Sequence, residues 1–206
     1  MMIVKLGGSM MRGEHLAAWM NTLDTLSGPV VVVPGGGSFA DAVRDIQRAD
    51  DFDGRLSDTL AHNMAVLGMA QYAWLLHAFH DEFVLQDDWH ELRVEIERGG
   101  KRQIWLPSPD RLPPGIVPDW GSTSDSIAAA LAVATRSSQL LLVKSAPVGD
   151  GPQPLSQLAA NGIVDRAFSG WFARLEQPAY VVSASDFERR ERLGGGIAAA
   201  ASLIVP

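Results

Sequence analysis

The chain has 206 residues, 47% hydrophobic and 20% charged, proportions that suit one compact domain, at most with two lobes, and exclude a disordered polymer. It contains no cysteine, which excludes a disulfide framework, a thiolate nucleophile and thiolate metal ligands, and fits a reducing compartment. A formal charge of −7 argues against nucleic acid or an anionic membrane as a general partner, although a phosphate site needs only a few local cations.

Met1-Met2-Ile3-Val4-Lys5 enters an apolar strand directly, without the charged region, apolar stretch and cleavage site of a secretory signal. No apolar run is long enough to span a bilayer, so the expected location is the cytoplasm. Ile3–Leu6 predicts a first strand, stopped by Gly7-Gly8, and His15–Leu26 predicts a helix. Val30–Val33 is β-branched throughout, as in a strand buried on both faces, and Pro34-Gly35-Gly36-Gly37 breaks it. Phe39, Ala42, Val43 and Ile46 give helical spacing over Phe39–Arg48. A helix from about Leu60 to Phe79 is apolar on nearly every side and is expected to be largely buried. Phe83–Leu85 and Gln103–Leu106 predict strands, Ser126–Thr135 an alanine-rich helix, and Leu140–Val143 another buried strand. Tyr180–Val182 and Leu203–Val205 complete the sheet. The five prolines of Pro107–Pro118 mark a loop, as do the glycines and prolines of Val148–Pro154. Alternating apolar strands and helices imply a parallel sheet covered on both faces.

Four segments carry candidate chemistry. In Val4-Lys5-Leu6-Gly7-Gly8-Ser9 a lysine ends a buried strand and two glycines follow. Bare backbone amides there can approach a phosphate while the ammonium supplies a point charge, at the strand end where open α/β sheets bind ligands. The same residues also describe a plain tight turn. Val33-Pro34-Gly35-Gly36-Gly37-Ser38 follows a second buried strand and opens a helix, whose N-terminus favours an anion. Two glycines suffice for a turn, and the third points to close approach by a ligand. In Trp120-Gly121-Ser122-Thr123-Ser124-Asp125-Ser126 the hydroxyls read as helix capping, and Asp125 as capping or as the carboxylate that holds a catalytic lysine. Leu140–Lys144, followed by Ser145-Ala146 and Gly149-Asp150-Gly151, is another strand ending in a lysine and a flexible loop.

Gly35, Gly37 and Ala40 also satisfy the dinucleotide pattern Gly-x-Gly-x-x-Ala, which wants an acidic residue closing the next strand. Asp53 has the spacing, but Ala49–Asp58 is polar and strandless. No Walker-type Gly-x-x-x-x-Gly-Lys-Ser/Thr occurs. His77, His80, Asp87, Asp88 and His90 lack a tight metal-ligand spacing, the six tryptophans read as core and pocket walls, and Glu188–Arg192 reads as a solvated face.

Taken in order, Val-Lys-Leu-Gly-Gly-Ser, Val-Pro-Gly-Gly-Gly, Ser-Thr-Ser-Asp-Ser and Leu-Leu-Leu-Val-Lys resemble the amino acid kinase family over nearly the whole chain. The resemblance implies a three-layer αβα sandwich with a mostly parallel sheet of seven to eight strands. Residues 1–118 would bind the acceptor and 119–206 the nucleotide, in a homodimer. It implies transfer of the γ-phosphoryl of ATP, with Lys5 stabilising the moving group, Gly7 and Gly8 donating N–H bonds to it, Ser9 among the phosphate-binding residues, and Asp125 orienting Lys5. Lys144, Gly149 and Asp150 would lie by the nucleotide, and magnesium would ride on ATP phosphates without protein ligands. Gly35, Gly36, Gly37 and Ser124 would hold the acceptor. One departure stands out. Many members carry a late lysine after a Gly-hydrophobic pair, where Gly162-Ile163-Val164-Asp165-Arg166 has Asp165; Arg166 or Lys144 would have to supply that charge.

The middle of the chain is most similar to the aminomethylfuran phosphate kinases of methanofuran synthesis, through Asp58, His62, Met64-Ala65, Gly68–Ala73, Gly162–Asp165 and Phe168. That branch phosphorylates a phosphomonoester. Arg55, His62 and the Gly36-Gly37 amides would surround its phosphate and Asp58 would meet its ammonium; as local structure, Asp58 is a cap and His62 a packed polar residue. Other acceptors of the family (acetylglutamate, uridylate, isopentenyl phosphate), a nucleotide- or oxyanion-binding protein without turnover, and an NAD-dependent oxidoreductase are the alternatives.

Overall fold

The computed structural model describes residues 1–12, 14–49, 52–100 and 102–206. Its strands are β1 (Met2–Leu6), β2 (Val30–Pro34), β3 (Val84–Gln86), β4 (Arg102–Trp105), β5 (Gln139–Lys144), β6 (Gln153–Pro154), β7 (Ala179–Ser183) and β8 (Ser202–Val205). They form one eight-stranded sheet in the order β3-β4-β2-β1-β5-β7-β8-β6. Every neighbouring pair is parallel except β7 with β8. Helices α1 (His15–Thr25), α2 (Gly37–Ala49), α3 (Asp58–Phe79), α4 (Glu91–Glu97), α5 (Ser124–Ala134), α6 (Leu155–Ala160), α7 (Phe168–Phe172), α8 (Phe187–Arg192) and α9 (Ile197–Ala200) pack on its two faces.

The pleat decides where the chemistry points. Side chains alternate along a strand with period two. Val4 and Leu6 of β1, with Leu141 and Val143 of β5, enter the core that holds Trp19 of α1 and Leu76 of α3. Ile3, Leu140 and Leu142 enter the opposite core, under the alanine-rich α5. Lys5 and Lys144 continue that second series and therefore emerge on the α5 side, at the carboxyl ends of adjacent strands. Ala128, Ala129 and Ala130 are fully buried, and their small side chains bring α5 close to the sheet.

The all-round apolar α3 departs from the sequence expectation. Only one flank is buried, through Ala61, Val66, Met69, Tyr72, Ala73 and Leu76. Leu60, Met64, Leu67, Trp74, Leu75 and Phe79 form a solvent-facing row, with Trp74 58% exposed. Its buried side packs on α2 and on the strands β2, β4 and β3, and among the described residues nothing covers the opposite side. The Val148–Pro154 loop closes with the two-residue β6, paired with β8, and β8 runs antiparallel inside the sheet. The run Glu188–Arg192 is not uniformly solvated: the Arg189 side chain is 12% exposed and pairs with Asp150 and Asp186. In the polar segment 49–58, Asp50 and Asp51 lie outside the described residues, and Phe52–Ser57 has turns and bends but no strand.

Candidate active site

Lys5, at the end of the central strand, is 3% exposed, and Asp125, in the first turn of α5, is 4% exposed. Lys5 Nζ lies 2.9 Å from Asp125 Oδ1. Lys144 Nζ donates to both oxygens of the same carboxylate, at 3.0 and 2.8 Å. One buried carboxylate thus holds two ammonium groups, leaving a net positive charge at the strand ends. Burial pushes the Lys5 pKa down to about 8; Asp125 opposes the shift and the neighbouring Lys144 adds to it. For Asp125 burial acts upward, but the two ammonium groups outweigh it and hold the carboxyl below its ordinary range.

The two glycine loops meet backbone to backbone. A Cβ on Gly8 would sit 2.2 Å from the Gly37 nitrogen, and one on Gly35 would sit 2.3 Å from the Gly8 nitrogen. At Gly8 and Gly35 the close approach is therefore by the other loop. Gly37 adopts φ +53, in the left-handed region that disfavours side chains. Gly7 donates its N–H to the Val143 carbonyl at 3.0 Å, tying the first loop to β5, and Ser9 Oγ meets Ser145 Oγ at 2.7 Å.

These groups converge on a cavity of about 340 Å³, walled by Lys5, Gly7, Gly8, Ser9, Gly36, Gly37, His62, Ser124, Asp125 and Lys144 among the residues singled out in the sequence. His62 is 2% exposed, and neither of its ring nitrogens completes a hydrogen bond. It lies near the Ser122 backbone and the Asn63 side chain, and burial lowers its pKa, which favours the neutral ring. Gly35, Arg55, Asp58, Gly149 and Asp150 are not on the wall. Gly35 buttresses Gly8. Asp58 Oδ1 accepts from Gln47 Nε2 at 2.9 Å. Asp150 pairs with Arg189, while the Gly149 carbonyl accepts from Ser202 Oγ at 2.9 Å and Gln153 Nε2 at 3.1 Å.

The wall also contains Asp41 and Arg44, to which no motif drew attention, and Trp120, the first residue of the segment that carries Asp125. Arg44 lies over the Trp120 ring, its Cζ 4.4 Å from the ring centroid, and Arg44 Nη1 donates to Asp41 Oδ1 at 2.7 Å. The polar face of α2 at Asp41, Arg44 and Gln47 was the available signal, hidden by the ordinary amphipathic look of a surface helix.

Asp165 has a structural place. Its Oδ2 accepts from the backbone N–H groups of Thr123 at 2.8 Å and Ser126 at 3.0 Å and from Thr123 Oγ1 at 2.7 Å. Its Oδ1 accepts from Ser126 Oγ, and from the Phe168 N–H at 3.0 Å. One carboxylate thereby caps both α5 and α7, and fixes the turn that presents Asp125. Arg166 is 82% exposed, 3.7 Å from Asp119, and off the cavity wall.

A mostly parallel sheet with a lysine and a glycine loop at its central strand end, facing a second glycine loop, matches the architecture of small-molecule phosphotransferases. The family model described as amino acid kinase family matches residues 1–152, and the chain belongs to that family. The (5-(aminomethyl)furan-3-yl)methyl phosphate kinase of Methanocaldococcus jannaschii is 34% identical over 130 residues, 62% of this chain and 57% of that protein; the match thus spans little more than half the relative's length. Among solved structures, the uridylate kinase of Archaeoglobus fulgidus superposes with a TM-score of 0.73 at 18% identity, covering 99% of each chain. A substrate complex of isopentenyl phosphate kinase gives 0.62 at 13% identity, covering 100% of both. The structural likenesses show the fold.

Proposed function

We propose that the protein is an ATP-dependent kinase that transfers the γ-phosphoryl group to the phosphate of a small phosphomonoester, giving a diphosphate and ADP. The acceptor in this reading is aminomethylfuran-methyl phosphate. The observation that carries it is the buried Lys5–Asp125–Lys144 cluster facing two interlocked glycine loops across one cavity. Phosphoryl transfer asks little covalent chemistry of a protein and much positioning of charge. An acceptor phosphate oxygen attacks the γ-phosphorus as the bond to the ADP oxygen breaks, while Lys5 and Lys144 balance the charge on the moving group. The Gly8 amide faces the transferred phosphoryl, while Gly7, its N–H spent on the Val143 carbonyl, anchors the loop to β5; the amides of Gly36 and Gly37 face the acceptor phosphate, and Asp125 keeps both lysines aimed. His62, buried and unpartnered, supplies a ring nitrogen to an acceptor oxygen. The nucleotide extends from Lys144 toward the loop of Gly149 and Asp150, so that residues 1–118 serve the acceptor and 119–206 the nucleotide.

Among the described residues no group of three or more His, Asp or Glu side chains could hold a metal ion. Asp125 is already engaged by two ammonium groups. Magnesium would come with the ATP phosphates and supply charge neutralisation there, with no protein ligand. The Methanocaldococcus jannaschii relative supports the aminomethylfuran acceptor, since its name says that it acts on a phosphate ester. The reading also makes the chain a homodimer through the exposed row of α3, and a cytoplasmic enzyme. Incubation with ATP, magnesium and the aminomethylfuran phosphate is expected to release ADP and a diphosphate resolved by mass. Absence of both products would overturn the acceptor assignment, and absence of ADP with every phosphate and carboxylate acceptor of the family would overturn the kinase reading.

A further inference from the structure

We infer that Asp41 selects the acceptor by taking a cationic group at the end opposite its phosphate; the inference rests on the kinase reading above and names the residue that discriminates within it. Three carboxylates line the cavity among the described residues: Asp41, Asp125 and Asp165. Asp125 is neutralised by Lys5 and Lys144. Asp165 is saturated by hydroxyl and backbone donors at the starts of two helices. Asp41 alone of the three keeps an oxygen without a partner, because Arg44 engages only Oδ1.

The surroundings of Asp41 are built to hold it. The Arg44 guanidinium rests on the Trp120 ring. Trp120 Nε1 donates to Gln47 Oε1 at 2.6 Å, and Gln47 Nε2 donates to Asp58 Oδ1 at 2.9 Å and the Leu56 carbonyl at 3.1 Å. Asp58 therefore reaches the cavity only through Gln47 and Trp120, and Asp41 is the carboxylate that faces it. The Asp41–Arg44 pair is itself an exposed i,i+3 ion pair, which adds little to stability.

Position supplies the second half. Asp41 lies one helical turn beyond Gly37, about 6 Å along the axis of α2. A molecule whose phosphate sits against the Gly36 and Gly37 amides, near the two lysines, presents its far end at Asp41. The cavity has a cationic end at Lys5 and Lys144 and, at its other end, the Asp41–Arg44 pair, in which one carboxylate oxygen stays open. Its electrostatic complement is a zwitterion, a phosphomonoester bearing an amine.

Calorimetric titration of the wild type and Asp41→Asn with aminomethylfuran-methyl phosphate, and with the counterpart whose aminomethyl is a methyl, tests this. The wild type is expected to bind the amine about tenfold more tightly, and Asp41→Asn to bind the two alike. ATP affinity in the same titration reports any loss of fold. Equal binding of both compounds by the wild type, or a preference kept by Asp41→Asn, overturns the inference. A preference without ADP formation sinks the kinase reading and leaves Asp41 as the selector. Equal turnover and binding of both compounds does the reverse.

Discussion

Lys5 concentrates the physical tension of the molecule. Its ammonium is out of water, held by a carboxylate it shares with Lys144. Its pKa is pushed from 10.5 to about 8, so the native state binds its proton less tightly than the unfolded chain does. The buried charge is therefore a stability cost, fully present below about pH 8 and relieved as pH rises toward 10.5. Asp125 acts with the opposite sign: its lowered pKa adds stability at neutral pH that acid removes. Lys5→Met is expected to leave urea stability unchanged or raised while turnover falls about 10²–10³-fold; unchanged turnover would take Lys5 out of the mechanism. For the wild type, kcat/KM is expected to decline as pH rises through about 8. The kcat limb should lie higher, because bound phosphates favour the charged lysine. A profile flat to pH 10 would show that the Lys5 proton is not needed. That a lysine closes each strand was legible in the chain. That both share one carboxylate was not, because Lys144 and Asp125 are brought together by the packing of α5 on the sheet.

At the scale of elements, two joints hold the site. The first is the contact between glycine loops. Gly8→Ala would force a methyl group to 2.2 Å from the Gly37 nitrogen, in a place where backbone, not a flexible side chain, must move. The expected result is a loss of about 2–4 kcal/mol in urea unfolding, together with loss of phosphate affinity; a stable, active variant would show that the loops separate easily. The second joint is Asp165. Asp165→Ala removes the shared cap of α5 and α7 and is expected to cost about 2–4 kcal/mol. Asp165→Lys should not restore it, since the position must accept hydrogen bonds from Thr123, Ser126 and Phe168. Retained stability in Asp165→Lys would argue against the capping role. The buried strands were readable from their apolar runs. The five- and six-residue α6, α7 and α8 were not, because so short a helix owes its existence to tertiary packing and capping instead of propensity.

Across the whole molecule, the exposed row on α3 follows i, i+4, i+7 spacing from Leu60 through Met64 and Leu67, and continues to Trp74, Leu75 and Phe79. An apolar surface of that extent asks for a partner. Trp74→Glu with Leu67→Glu is expected to halve the mass seen by light scattering, while helicity is kept; a wild type already monomeric would remove the dimer. Sequence alone determined the alternation of strand and helix, the parallel sheet, the glycine loops at strand ends and the family, since each is written in local periodicity or contiguous motifs. Tertiary structure decided which carboxylate meets the lysines, that Gly35 supports Gly8, that Arg55 and Asp58 stay off the cavity while Asp41, Arg44 and Trp120 enter it, and which side of α3 is bare. Those outcomes depend on how elements distant in the chain are rotated and seated against one another, and a one-dimensional pattern carries the phase of a helix but not the neighbour it turns toward.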